Sequence, residues 1–131
     1  MPLTIYAVES ILRRVPWTVE VTHQFELWWD TLSDDERISI DGMIRVLERH
    51  GPTGPPFSLA VAGSRHHQLR QLRVPHEPRE LCLLYVSDES QPVVILLTGS
   101  STDCDQFPPD LIEMADAIYD GYRRGGNGSE N

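Results

Sequence analysis

Apolar and polar residues alternate with period two over Trp17-Thr18-Val19-Glu20-Val21, the pattern of a half-buried strand. The period then changes. Phe25, Trp28, Trp29 and Leu32 fall at i, i+3, i+4 and i+7, one apolar stripe of a helix that Thr22 is placed to cap. Ser33-Asp34-Asp35-Glu36 fits a capping box, in which Ser33 and Glu36 satisfy each other's exposed backbone donors. It opens a second helix with the stripe Ile40, Met43, Ile44 and Leu47, and Gly51 followed by Pro52 stops it. Residues 17–50 therefore read as a strand followed by a helical hairpin.

Gly51-Pro52-Thr53-Gly54-Pro55-Pro56 is a stiff connector, and short strands are expected after it at Phe57–Ala62, His67–Val74, Glu80–Ser87 and Pro92–Leu97. Pro75-His76-Glu77-Pro78 and Asp88-Glu89-Ser90 supply turns between them. A last helix, Pro109 to Arg123, gathers Leu111, Met114, Ala115, Ile118 and Tyr122 on one face. The fold class is α+β: a small twisted antiparallel meander with helices on one face, leaving the other free for a ligand. Residues 1–16 form an extension of uncertain structure whose weak apolar pattern (Ile5, Val8, Ile11, Leu12) ends at Pro16. Residues 17–124 form one domain, and the tail 125–131 is expected to be disordered.

Composition adds one constraint. The formal net charge of the 131 residues is −9, which excludes non-specific binding of nucleic acid or membrane by the whole surface but not by a local patch. The start lacks the basic and apolar regions of a signal peptide, and the longest aliphatic run is Val93 to Leu97, so a cytoplasmic protein is expected. Cys82 and Cys104 are too few to read as a disulfide framework, and Cys82 sits inside an apolar strand as a core residue would.

Against that acidic background, Gly63 to His76 holds three arginines, three histidines and no acid. Arginine offers a fixed fork for phosphate, and histidine moves protons near neutral pH. The combination points to phosphate chemistry on RNA without a metal or other cofactor. His66, His67 or His76 would transfer protons, and Arg65, Arg70 and Arg73 would stabilise the developing phosphorane charge. Strand alternation puts Arg70 with Leu72 and Val74, and Arg73 with Gln71 and His67 on the opposite face, which makes Arg73 the best single candidate. Along the chain the acids lie elsewhere: six fall between Thr98 and Asp120, with no base among them. The alternative is a solvated face on which these cations pair with carboxylates. Zinc held by His66, His67, His76 and Asp103 is disfavoured, because adjacent histidines in a strand point to opposite faces. A Cys–His nucleophile pair has no local motif to support it.

With these elements in order, the chain resembles the RelE/HigB-like toxins of type II toxin–antitoxin systems, nearest the phage-derived Gp49-like branch. The resemblance covers Trp17 to Tyr122. Its most specific part is Gly63-Ser64-Arg65-His66-His67-Gln68-Leu69-Arg70-Gln71-Leu72-Arg73, close to that branch's GSRHHNLKELR. Phe25-Glu26-Leu27-Trp28, Gly51-Pro52, Leu83 to Asp88, Ile95-Leu96-Leu97 and Ala115 to Asp120 match in the same order. The resemblance implies a RelE-like sheet with two N-terminal helices on one face and a C-terminal helix, and metal-independent endoribonuclease (mRNA interferase) activity on mRNA at the ribosome. It also implies a helix-turn-helix antitoxin as partner, in a homodimer or a toxin–antitoxin hetero-oligomer. The expected catalytic residues are Arg73, Arg70, His67 and His66, with Arg65, Gln71, His76 and Ser101 binding substrate. The chain departs from the family pattern at Cys82, where many members open the strand with arginine, at Ser101 in place of a cation, and at Phe107 in place of tyrosine. Those departures leave two rivals: a catalytically degenerate binding module acting with an antitoxin-like repressor, and a gyrase-targeting toxin.

Overall fold

The computed structural model describes residues 16–78, 80–88, 90–101, 104–106 and 108–125. The expectations for residues 1–15, for Asp103 and Phe107, and for the tail beyond 125 fall outside the described residues. In chain order the elements are β1 (Thr18–Val21), α1 (His23–Trp29), α2 (Asp34–His50), β2 (Ser58–Ala60), β3 (Arg70–Val74), β4 (Leu81–Asp88), β5 (Val93–Ser100), a short 3-10 helix (Cys104–Gln106) and α3 (Pro109–Gly125).

Local chemistry sets the boundaries. Thr22 Oγ1 accepts from the Phe25 amide at 3.1 Å and donates to the Leu97 carbonyl at 2.6 Å, so one hydroxyl both caps α1 and ties it to β5. The capping box at α2 forms in both directions, Ser33 amide to Glu36 at 2.8 Å and Glu36 amide to Ser33 Oγ at 3.2 Å. Gly51 ends α2 at φ 77°, and a Cβ there would lie 2.5 Å from the Trp17 indole. Backbone angle and contact both demand glycine.

The sheet runs β1-β5-β4-β3-β2. β2 to β5 are antiparallel as the meander predicts, but β1 pairs parallel to β5, so the sheet is mixed. Parallel pairing needs a crossover. The α1–α2 hairpin and the strands after it provide one, bringing β5 back alongside β1. β5 also runs three residues past its expected end, because Thr98, Gly99 and Ser100 pair with Leu84, Leu83 and Cys82. A bulge at Leu84/Tyr85 shifts the register by one residue and carries Thr98 and Ser100 to the face already occupied by Ile95 and Leu97.

Two cores result. On one face α1 and α2 cover Leu72, Val74, Leu81, Leu83, Tyr85, Val94 and Leu96, with Phe25, Ile40 and Leu47 facing them. Trp28 lies so close over Gly99 that no side chain fits there. On the other face α3 packs Ala115 and Ile118 against Leu84, Val86, Ile95 and Leu97. This corrects the expectation of a face left free: α3 covers its β4–β5 half. Tyr122 fastens the helix by donating to Glu20 of β1 at 2.7 Å, and burial together with that carboxylate pushes its phenol up to about 12.

Candidate functional site

What remains of the α3 face is built by cross-strand register. Arg73 stands opposite Cys82, and Cys82 opposite Ser100. Gln71 stands opposite Leu84, and Leu84 opposite Thr98. Arg73 is the cation of this row. Its Nη1 donates to Glu80 Oε1 at 3.1 Å and its Nη2 to Asp105 Oδ1, and the Asp105 hydrogen bond raises the guanidinium pKa still further. Its Nε and the Oε1 of Gln71, two residues away on the same face, are buried without a partner. Beside them Cys82 is bonded to Cys104 of the 3-10 helix, with Cα atoms 5.6 Å apart. Two cysteines are too few to read as a disulfide framework in the sequence, yet the fold brings them together as a single bond. Cys82 is a core residue, 0% exposed, and also one end of a disulfide. Ser101 follows β5 directly and is half-buried.

Arg70 points to the opposite face, as strand alternation requires. Its Nε donates to Ser58 Oγ at 3.0 Å and its Nη2 to the Ser58 carbonyl at 3.3 Å, while Ser58 Oγ lies 2.6 Å from the Tyr85 hydroxyl. The arginine thereby closes the short edge strand β2 onto the sheet. Arg70 and Arg73 do not converge.

The first part of the stripe is not strand at all. β3 begins only at Arg70, and residues 63–69 form turns pinned to α3. Ser64 Oγ donates to Asp116 Oδ1 at 2.5 Å and accepts from the His66 amide at 2.9 Å, and the Arg65 amide donates to Asp116 Oδ2 at 2.9 Å. One turn further along α3, Asp120 takes Arg65 Nη2 at 2.8 Å and His66 Nε2 at 2.7 Å. The His66 ring meets Tyr119 edge-on at 4.8 Å. His67 stands exposed on the turn, and His76 lies away on the α2 side, its Nδ1 2.8 Å from Ser39 Oγ. The histidines are thus dispersed, and among the described residues none forms a group able to hold a metal.

Sequence reasoning missed the acids. Asp105, Asp116 and Asp120 belong to the acidic segment that is remote from the stripe in sequence, yet the fold lays these three against it. The available signal was the spacing of Asp116 and Asp120, four apart and so on one face of a helix. Asp120 is held below the ordinary carboxylate range, chiefly by its hydrogen bond from Arg65 and then by that from His66. A depressed pKa in the folded state gives stability that is present above about pH 4, the unfolded value, and lost as pH falls through the lower folded one. Thermal melts of Asp120→Asn and wild type should therefore differ at neutral pH and converge in acid. A constant difference down to the lowest pH would remove the carboxylate from the account.

No family model matches the chain. It is 32% identical over 77 residues to a candidate toxin, HigB3, of Mycobacterium tuberculosis, a stretch covering 58% of this chain and 66% of that protein, just under two thirds of its length. In structure it resembles the archaeal RelE–RelB complex of Pyrococcus horikoshii OT3, with a TM-score of 0.50 at 13% identity, covering 65% of this chain and 93% of that one. The five-stranded sheet with its helices is the fold of RelE, the sequence likeness is to HigB, and the chain is therefore RelE/HigB-like.

Proposed function

We propose that this protein is the toxin of a toxin–antitoxin pair and that it cleaves mRNA at the ribosome without a metal. The likeness to HigB3 supports the toxin role, and Arg73 supports the chemistry. A guanidinium on a sheet face, its buried Nε unpartnered and Gln71 beside it, suits a phosphodiester whose charge grows in the transition state. In this reading exposed His67 exchanges protons with the ribose or leaving oxygen, and His66, oriented by Asp120, is the second candidate. Arg65 and Ser101 contact the RNA backbone around them, Arg70 supports the strand that carries Arg73, and His76, held by Ser39 on the α2 side, takes no part. The partner is a helix-turn-helix antitoxin, and the site of action is cytoplasmic. No helix among the described residues is long and apolar enough to cross a membrane.

A second reading has an observation in its favour. Arg65, His66 and Arg73 are all engaged by carboxylates, which suits a binding module that has kept the fold and lost the reaction. Inducing the protein in a bacterial host, with growth and RNA 5′ ends followed together, separates the two. Growth arrest with new in-frame cuts inside translated mRNAs is expected. Soluble, folded protein with no arrest would establish the binding module instead, and arrest with intact RNA would move the target elsewhere.

A further inference from the structure

Both ends of the Arg73 guanidinium are occupied, and the two acids come from different places. Glu80 precedes β4, in the connection from Arg73's own strand. Asp105 arrives from the 3-10 helix after β5. Its side chain is 67% exposed, and an ion pair so exposed holds a chain segment only weakly against water and salt. The neighbouring residue supplies what the ion pair lacks. Cys104 is covalently bonded to Cys82, and Cys82 is the cross-strand partner of Arg73. A tether anchored beside the arginine and ending one residue from the aspartate keeps the effective carboxylate concentration at Arg73 high.

We propose that the Cys82–Cys104 disulfide is a redox latch on the Arg73 site. Oxidised, it seats Asp105 on Arg73 and closes the site to a phosphodiester; reduced, it frees the segment, and phosphate can displace Asp105. The proposal rests on the reading of Arg73 as the phosphate-binding group. The sheet is unchanged in both states, because β4 stays paired to β3 and β5 through its backbone. Once the segment lifts, the unpartnered Nε of Arg73 completes the fork that a phosphate takes up.

The chemistry needs a dithiol reductant, small or protein-borne, which supplies two electrons. Its thiolate attacks Cys104 Sγ, the Cys82–Cys104 bond breaks, and Cys82 leaves as a thiolate that takes a proton. The second thiol of the reductant then attacks the mixed disulfide, releasing Cys104 and leaving the reductant as its own disulfide. Cys104 is the sulfur to attack. Cys82 is 0% exposed within the sheet, whereas Cys104, 2% exposed, rides on a three-residue helix that needs only local opening.

The test reads Arg73 directly. Air-oxidised protein, the same protein reduced with dithiothreitol, and Cys104→Ser are treated with the arginine reagent phenylglyoxal, and modification is mapped by mass spectrometry. Circular dichroism verifies the fold of each sample. Arg73 is expected to react about tenfold faster in the reduced protein and in Cys104→Ser, while Arg45, on the far side of the molecule in α2, is unchanged. Asp105→Asn should raise the Arg73 rate even in the oxidised protein. Equal Arg73 rates in the oxidised and reduced proteins overturn the latch, as does alkylation of both cysteines in the denatured, air-oxidised chain. RNA cleavage is scored separately. An Arg73 that opens on reduction in a protein that cuts no RNA keeps the latch and rejects the nuclease. Cleavage by both forms with equal Arg73 rates does the reverse.

Discussion

Arg73→Ala is expected to remove growth arrest and mRNA cleavage while leaving the protein folded. Its guanidinium is the cation on the part of the sheet face that α3 leaves uncovered, and losing one transition-state donor costs about 10²–10³ in rate. The fold tolerates the change because Glu80 and Asp105, the acids released, have side chains 45% and 67% exposed and can hydrate where they stand. The substitution also removes the unpartnered Nε, a group that costs stability when buried. Arg73→Lys should recover little, since a single ammonium cannot reproduce a planar fork with two ends. Arg70→Ala is the informative contrast. It strips the Ser58 hydroxyl and carbonyl of their cationic partner, so its defect should appear as a lower melting temperature rather than as a rate loss at full folding. Growth curves, cleavage rates and melts on the three variants decide the assignment. Full toxicity of Arg73→Ala would end it.

The same two arginines show how far the sequence carries. Period two in Arg70 to Val74 places them on opposite faces, and the strand obeys it because Leu72 and Val74 must enter the core under α2. Capping residues and the stop at Gly51 are local signals and stand where expected, while the first helix ends at Trp29 and leaves Leu32, the last residue of its expected stripe, in the turn that follows. What was not legible depends on contacts between distant parts of the chain. The parallel pairing of β1 with β5 joins residues about 75 positions apart, as the Thr22–Leu97 hydrogen bond records. His67 shares the alternation of the strand in sequence but lies outside it, because Ser64 and Arg65 are drawn to Asp116 and the chain turns before it can pair. The acids after β5 read as segregated charge along the chain, and in three dimensions Asp105, Asp116 and Asp120 pair with the stripe. Cys82 and Cys104 have no motif, and their pairing becomes visible only once the end of β5 folds back over the sheet.

The carboxylate with the greatest structural weight is Asp116, and Asp116→Ala is expected to cost about 2–3 kcal/mol. It is 2% exposed, and it accepts from the Ser64 hydroxyl and the Arg65 amide with Arg65 Nε 4.0 Å away. Alanine is the better helix former, so helix propensity offsets about 0.5–0.7 kcal/mol of the loss. The loss comes from two donors left facing a hole under a loop that has little apolar anchor of its own beyond Leu69 and Val61. For a domain of this size the midpoint of thermal unfolding should fall by about 10 °C. Asn should recover part of the loss, since its oxygen still accepts one hydrogen bond while its amide cannot accept the second. The functional consequence follows from position. Arg65, His66 and His67 all sit on the loop that Asp116 anchors, so a freed loop should lower cleavage even below the new melting point, where the chain is still folded. If Asp116→Ala melts with wild type, the Ser64–Asp116–Arg65 contacts do not hold the loop, and the spacing of Asp116 and Asp120 on α3 has no structural consequence.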